Sequence, residues 1–223
     1  MANKLNPQAC FLVSRDKLYF FSNERGEVLE LPFSSEIMQD LEIVSPASLE
    51  RVLRNWLDQT KIVPKQAVLM LDNSICFQRK LSAVPSNVDE ELQKFLEVVP
   101  FTEVSQKIFP MEGGAYIVAI NQNLLQPLVS TLEKLGFIII NISPAFLFNV
   151  DASQTTFNKG VAQQIMANVE LLLNFSFLTS AELEAKIVEP KPFLTVKFDK
   201  KLISLIVVFI ILIGVLLILL KMR

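Results

Sequence analysis

The segment AYIVAINQNLLQPLVSTLEKLGFIIINISPAF, residues 115–146, reads as a strand, a helix and a second strand. Ala115–Ile120 reads as a strand, entered from a glycine turn. A helix is expected from about Leu124 to Leu135, with Gly136 closing it, and Phe137–Asn141 makes the following strand.

Upstream of this segment lies a helix that runs to Val98 and is stopped by Pro100. Ser86 or Asn87 caps it, and its first turn holds Asp89, Glu90 and Glu91. Three adjacent carboxylates suggest acid–base or metal chemistry, but at a helix start they complement the dipole, and consecutive positions do not share one face. A strand near Ser105–Phe109 and a Glu112-Gly113-Gly114 turn complete the approach to Ala115. Introduced by a strand at Ile75–Leu81, the order helix–strand–strand–helix–strand has a split βαβ layout, an antiparallel sheet backed by helices.

Farther out, Cys10–Val13 and Lys17–Phe21 read as strands around a Ser14-Arg15-Asp16 turn, and Glu27–Leu31 as a third after the Asn23–Gly26 turn. Pro46 opens a helix capped by Ser45, with Leu49, Val52, Leu53, Trp56 and Leu57 at helical spacing. Ala67–Leu71 is a buried strand, followed after the Asp72-Asn73 turn by Ile75–Leu81. Residues 160–175 give a helix with apolar Val161, Ile165, Met166, Val169, Leu172 and Leu173. That stripe packs on the domain's own sheet or is offered to a partner. From Thr179 to Lys201 the chain reads as a partly extended connector with a break at Lys186–Val188 and the motif Glu189-Pro190-Lys191-Pro192.

The sequence ends in KKLISLIVVFIILIGVLLILLKMR, residues 200–223. Between Leu202 and Leu220 only Ser204 and Gly214 are not large and apolar, and Phe209 is its one aromatic residue. As a helix this run is roughly 28 Å long, the thickness of a bilayer core. Lysine or arginine flanks both ends, so the flanking charges do not orient it. No signal peptide is evident at the N-terminus, which puts the bulk of the chain on the cytoplasmic side of the inner membrane in a single-pass arrangement. Cys10 and Cys76 fit a reducing compartment as small buried hydrophobes. The 223 residues carry 21 basic and 23 acidic side chains and no histidine. That composition removes histidine triads, His-containing zinc sites and imidazole acid–base catalysis. It gives no basic stripe for nucleic acid.

ELQKFLEVVPF (91–101), AYIVAINQNLL (115–125) and LEKLGFIIINISPAF (132–146), with QAVLMLDNSICFQRKLSAVP (66–85) ahead of them, resemble the type IV pilus assembly protein PilM family, which is actin-like. The layout is also similar to actin-like secretion-platform proteins that fuse such a domain to a membrane helix. The resemblance covers roughly residues 8 to 150. It implies an α/β (α+β) fold: a partial actin-like, ribonuclease H-like subdomain with an inserted split βαβ subdomain. The divisions are 1–84 for the first subdomain, 85–142 for the insert, 143–178 for a helical return, 179–201 for the connector and 202–220 for a transmembrane helix.

An actin-like ATPase holds phosphates on two Asp-x-Gly loops. The place of the first is Ser14-Arg15-Asp16, without glycine, and the nearest candidate for the second, Asp151–Thr156, also lacks one. With six glycines in the chain there is no P-loop either. The expectation is therefore a scaffold without enzymatic activity or cofactor. By resemblance it binds membrane-anchored pilus or secretion assembly proteins in a groove between the subdomains, with the bilayer and copies of itself as further partners and no nucleic acid. The residues assigned to that groove are Lys80, Leu81, Glu91, Lys94, Phe95, Val98, Pro100 and Phe101, with Asn121 and Asn123 as a second polar edge. Leu202, Phe209, Gly214 and Leu220 mark the membrane segment. A membrane-tethered, nucleotide-binding actin-like ATPase is the alternative.

Overall fold

A computed structural model describes residues 6–82, 87–148 and 157–188. The chain separates into two units, Met1–Pro190 and Lys191–Arg223, and the second lies outside the described residues, as do Pro85 and Asp151–Thr156. The expected span at 202–220, with Leu202, Phe209, Gly214 and Leu220, is outside them too. Among the described residues no helix is long and apolar enough to cross a membrane.

Three strands open the fold: β1 (Ala9–Val13), β2 (Lys17–Ser22) and β3 (Val28–Pro32). The two-residue pair β4 (Met38–Gln39) and β5 (Glu42–Ile43) leads into α1 (Pro46–Thr60). The serine cap and proline start expected of α1 are both in place. Ser45 Oγ accepts from Ser48 N at 3.3 Å, Pro46 occupies the first turn, and Lys61 closes the helix in the left-handed region at φ 53°. Then follow β6 (Gln66–Leu71), a short 3-10 turn at Asn73–Ile75, β7 (Cys76–Leu81), α2 (Val88–Leu96), β8 (Val104–Met111) and β9 (Gly114–Asn121). The helix α3 (Gln122–Lys134) leads to β10 (Ile138–Pro144), and α4 (Lys159–Ala167), α5 (Val169–Leu173) and α6 (Ser180–Val188) end the described chain.

The larger sheet has the order β10-β6-β1-β2-β3. β1, β2 and β3 form an antiparallel meander, while β6 and β10 continue it as parallel strands. Both faces are covered, which is why β1 and β6 read as continuous apolar runs. On one face Phe11, Leu18, Phe20 and Leu69 meet Leu49, Leu53 and Trp56 of α1 and Leu124, Leu128 and Leu132 of α3. Phe11 stacks edge-on to Phe137 at 4.9 Å. On the other face Cys10, Leu12, Phe21, Val68 and Met70 meet Ala162, Ile165, Met166, Val169 and Leu172. The apolar stripe of residues 160–175 thus packs on the domain's own sheet, and Asn168 divides its helix in two. Cys10 and Cys76 are buried in strands, and burial pushes both thiols up.

A second sheet, β7-β9-β8, is antiparallel throughout. Its membership corrects the division expected at 85 and 142. β7 belongs to the small sheet although it precedes residue 85. β10, expected in the insert, pairs in parallel with β6 instead. The small sheet and α2 are therefore inserted in the crossover from β6 to β10, with α3 as the helix of that crossover. A second correction concerns the connector. Residues 180–188 are helical, and Lys186 Nζ reaches Glu133 Oε1 of α3 at 2.6 Å, so the chain is docked at least to that helix.

Candidate functional site

Two places bear on the expectations: the position between β1 and β2, where a phosphate loop was expected to be missing, and the surface around α2, where partner contact was expected. The first sits at the carboxyl ends of β1 and β6, where open α/β sheets bind ligands. Here three backbone donors at the turn are already engaged. Ser14 N donates to Lys17 O at 2.9 Å, Arg15 N to Ser74 Oγ at 3.1 Å, and Lys17 N to Ser14 Oγ at 3.3 Å. Asp72, 3% exposed, accepts from Ser74 N at 2.9 Å and so holds the serine that takes Arg15 N. Among the described residues no group of three or more acidic or thiol side chains is placed to hold a metal ion.

The second place is built on the small sheet, whose strands alternate between two faces. Leu81 of β7, Val104 and Ile108 of β8, and Ile117 and Ala119 of β9 meet Phe95, Leu92 and Leu96 of α2. Arg79 stands on that face too. Its guanidinium donates to the Glu91 carbonyl at 2.9 Å, lies 3.6 Å from the Glu91 carboxylate and sits 5.4 Å from the Phe95 ring centroid. Lys80 points the other way, with Nζ 5.9 Å from the ring centroid of Tyr116, its partner across the ladder. Tyr116 in turn contacts Phe146 of the segment after β10 at 5.2 Å.

The residues expected in one groove therefore divide. Lys80 is exposed at the junction of the two sheets, while Leu81, Glu91, Lys94, Val98, Pro100 and Phe101 belong to the α2 side. Phe95 is only 2% exposed and is core, not contact surface. Lys94 is exposed and spanned by its own helix, at 2.7 Å from Glu90 and 3.3 Å from Glu91. Its hydrogen bond to Glu90 raises the ammonium and lowers the Glu90 carboxyl. Phe101 is half-buried, edge-on to Phe77 at 5.4 Å, and Pro100 and Val98 are exposed beside it. Asn121 is 1% exposed, so it offers no polar edge. Its side chain accepts from Asn123 N at 2.9 Å to cap α3 and donates from Nδ2 to Glu42 Oε1 at 3.1 Å. Asn123 is half-buried beside that cap.

Three participants were missed. Arg79 orders α2 against β7, and Tyr116 with Phe146 lines the junction. The alternation of Phe77, Arg79 and Leu81 was a readable sign that Arg79 shares a face with two apolar residues. Nothing local marks Phe146.

No protein-family model matches the sequence, and no curated protein does. Among solved structures, the chain is similar to one in a "PilM-PilN type IV pilus biogenesis complex" at 12% identity and TM-score 0.46, covering 64% of this chain and 48% of that one. It is similar at 15% identity and TM-score 0.38 to the cytoplasmic domain of EpsL, described as an inner membrane component of the type II secretion system of Vibrio cholerae, over 62% of this chain and 57% of that one. The chain thus spans about half the length of each.

Proposed function

We propose that this protein is a non-catalytic scaffold of a type IV pilus or related secretion machine, held at the inner membrane by residues 202–220 and recruiting membrane-anchored assembly proteins through its cytoplasmic α/β domain. The sequence resemblance over residues 8–150 points to the machine. A three-stranded meander continued by two parallel strands, with helices on both faces, is the layout expected of a ribonuclease H-like subdomain. The observation that carries the non-catalytic part is the β1–β2 turn. Ser14, Arg15 and Lys17 N–H groups are spent inside the protein, whereas a phosphate needs such groups free and convergent.

Partner contact is assigned to the junction of the two sheets, around Lys80, Tyr116 and Phe146. Lys80 is the exposed charge there, and an aromatic pair provides the apolar floor. Calorimetry of the full chain in detergent with magnesium ATP is expected to give no saturable heat, and micromolar binding would restore the ATPase alternative. Pilus or secretion assembly proteins are expected to co-purify with the full chain from native membranes, and Lys80→Glu to reduce their recovery. Recovery unaffected by Lys80→Glu moves the contact away from this junction.

A further inference from the structure

The two sheets end in four edge strands, and they are not protected alike. β10 is covered by the chain that follows α5, since Phe177 N donates to Ile142 O at 2.7 Å and Ile142 N to Ser176 Oγ at 3.2 Å. At β3, Phe33 N donates to Asp16 O, so the outward backbone positions are Val28, Glu30 and Pro32, which include a charge and a residue with no N–H. β7 turns Cys76, Gln78 and Lys80 outward, again with a charge.

β8 differs. Gln122 N donates to Glu103 O at 3.0 Å in the register that pairs Val104 with Asn121 and Met111 with Gly114. The odd-numbered residues of β8 therefore exchange bonds with β9. The N–H and C=O groups of Val104, Gln106 and Ile108, and the C=O of Pro110, point away from the sheet. No hydrogen bond engages them among the described residues. None of these positions is charged, and Pro110 guards only one end.

We infer that β8 pairs antiparallel with β8 of a second copy of this chain, about a dyad at Gln106, to make one continuous six-stranded sheet. The strand is self-complementary in this register. Val104 falls opposite the second copy's Ile108, Gln106 opposite its own counterpart, and Ile108 opposite Val104, so each pair exchanges both backbone bonds. Lys107 falls opposite Ser105. Centring the dyad on Lys107 instead sets two ammonium groups face to face and leaves Val104 opposite Pro110, which has no N–H to return. On the face that carries α2, space allows the first register. α2 packs over β9 through Phe95, Ile117 and Ala119. The two copies of β9 would stand about 14 Å apart, three strand spacings, against roughly 8–10 Å for helices in contact. The pairing is isologous, as a closed dimer requires, and depends on none of the partner assignments above.

The test places a cysteine at the dyad. In a hydrogen-bonded antiparallel pair the Cα atoms are about 5.5 Å apart, within disulfide range. Native Cys10 and Cys76 are buried and give little background. Gln106→Cys in the full chain, oxidised in isolated membranes, is expected to give a disulfide-linked dimer, at least about tenfold more than Gln78→Cys on the β7 edge. Both side chains are exposed on sheet edges, so neither change perturbs the core. No linked dimer from Gln106→Cys, or equal linkage through both positions, overturns the proposal.

Discussion

At Gly114 the backbone holds φ at +154°, and an added Cβ would stand 2.0 Å from the Leu81 carbonyl oxygen. Neither the turn nor the neighbouring backbone gives way easily, because Leu81 is fixed by its ladder with Ala115. Gly114→Ala is expected to lower stability by roughly 2–3 kcal/mol, read as a reduced urea midpoint with an unchanged m-value. Gly113→Ala, at φ +78° with nothing within 4 Å of the new atom, carries backbone strain alone and costs less. Equal midpoints for the two variants would dismiss the close approach. The glycine pair was legible as a turn, but which glycine is indispensable depends on a carbonyl from β7, far away in sequence. Phe95 and Asn121 misled for the same reason. A phenylalanine on an acidic helix and an asparagine in a polar triplet read as surface, and only the sheet beneath α2 and the Glu42 carboxylate beside α3 made them interior.

Elements with strong local signals formed where the pattern put them: β1 and β2 around their turn, and α1 after its serine cap. The pairing of β10 was not legible, because a short apolar run carries no record of which strand lies beside it. Its polar residues became intelligible only in place. The strand carries a bulge between Ile139 and Asn141, and Asn141 Nδ2 donates to Leu172 O at 2.8 Å while Ser143 Oγ donates to Phe175 O at 2.7 Å. That network fixes the segment leading to α6, a helix whose start is a capping box. Thr179 N donates to Glu182 Oε2 at 2.7 Å, and Glu182 N donates back to Thr179 Oγ1 at 3.2 Å. These hydrogen bonds from Thr179, backbone first, hold the Glu182 carboxyl below its ordinary value. A depressed carboxyl contributes stability above its unfolded value and loses it as pH falls through the folded one. Amide exchange at Thr179, corrected for intrinsic rates, is therefore expected to quicken as pH drops from neutral through the carboxylate range. Glu182→Gln keeps a capping partner and should flatten that dependence. The same pH response in the glutamine variant would assign it to another group.

On the scale of the whole molecule, the sequence sets a hydrophobic run of membrane length, residues 202–220, after the α/β domain. An untethered domain meets a membrane-anchored partner at its bulk concentration. A domain attached to the same bilayer meets it at an effective concentration set by the linker, and a groove contact too weak to survive in solution then suffices. Thirteen residues separate the end of α6 from Leu202, a reach of at most about 45 Å when extended. Deleting residues 202–223 is expected to move the protein from the carbonate-resistant membrane fraction to the supernatant with its far-UV circular dichroism spectrum keeping the strand and α1–α6 contributions. Recovery of assembly proteins should fall by about a hundredfold or more, because only avidity has been removed. Replacing the deleted segment with an unrelated apolar helix of the same length should restore both. If the foreign helix restores membrane location but not recovery, the native segment itself makes a partner contact, and its role extends beyond attachment.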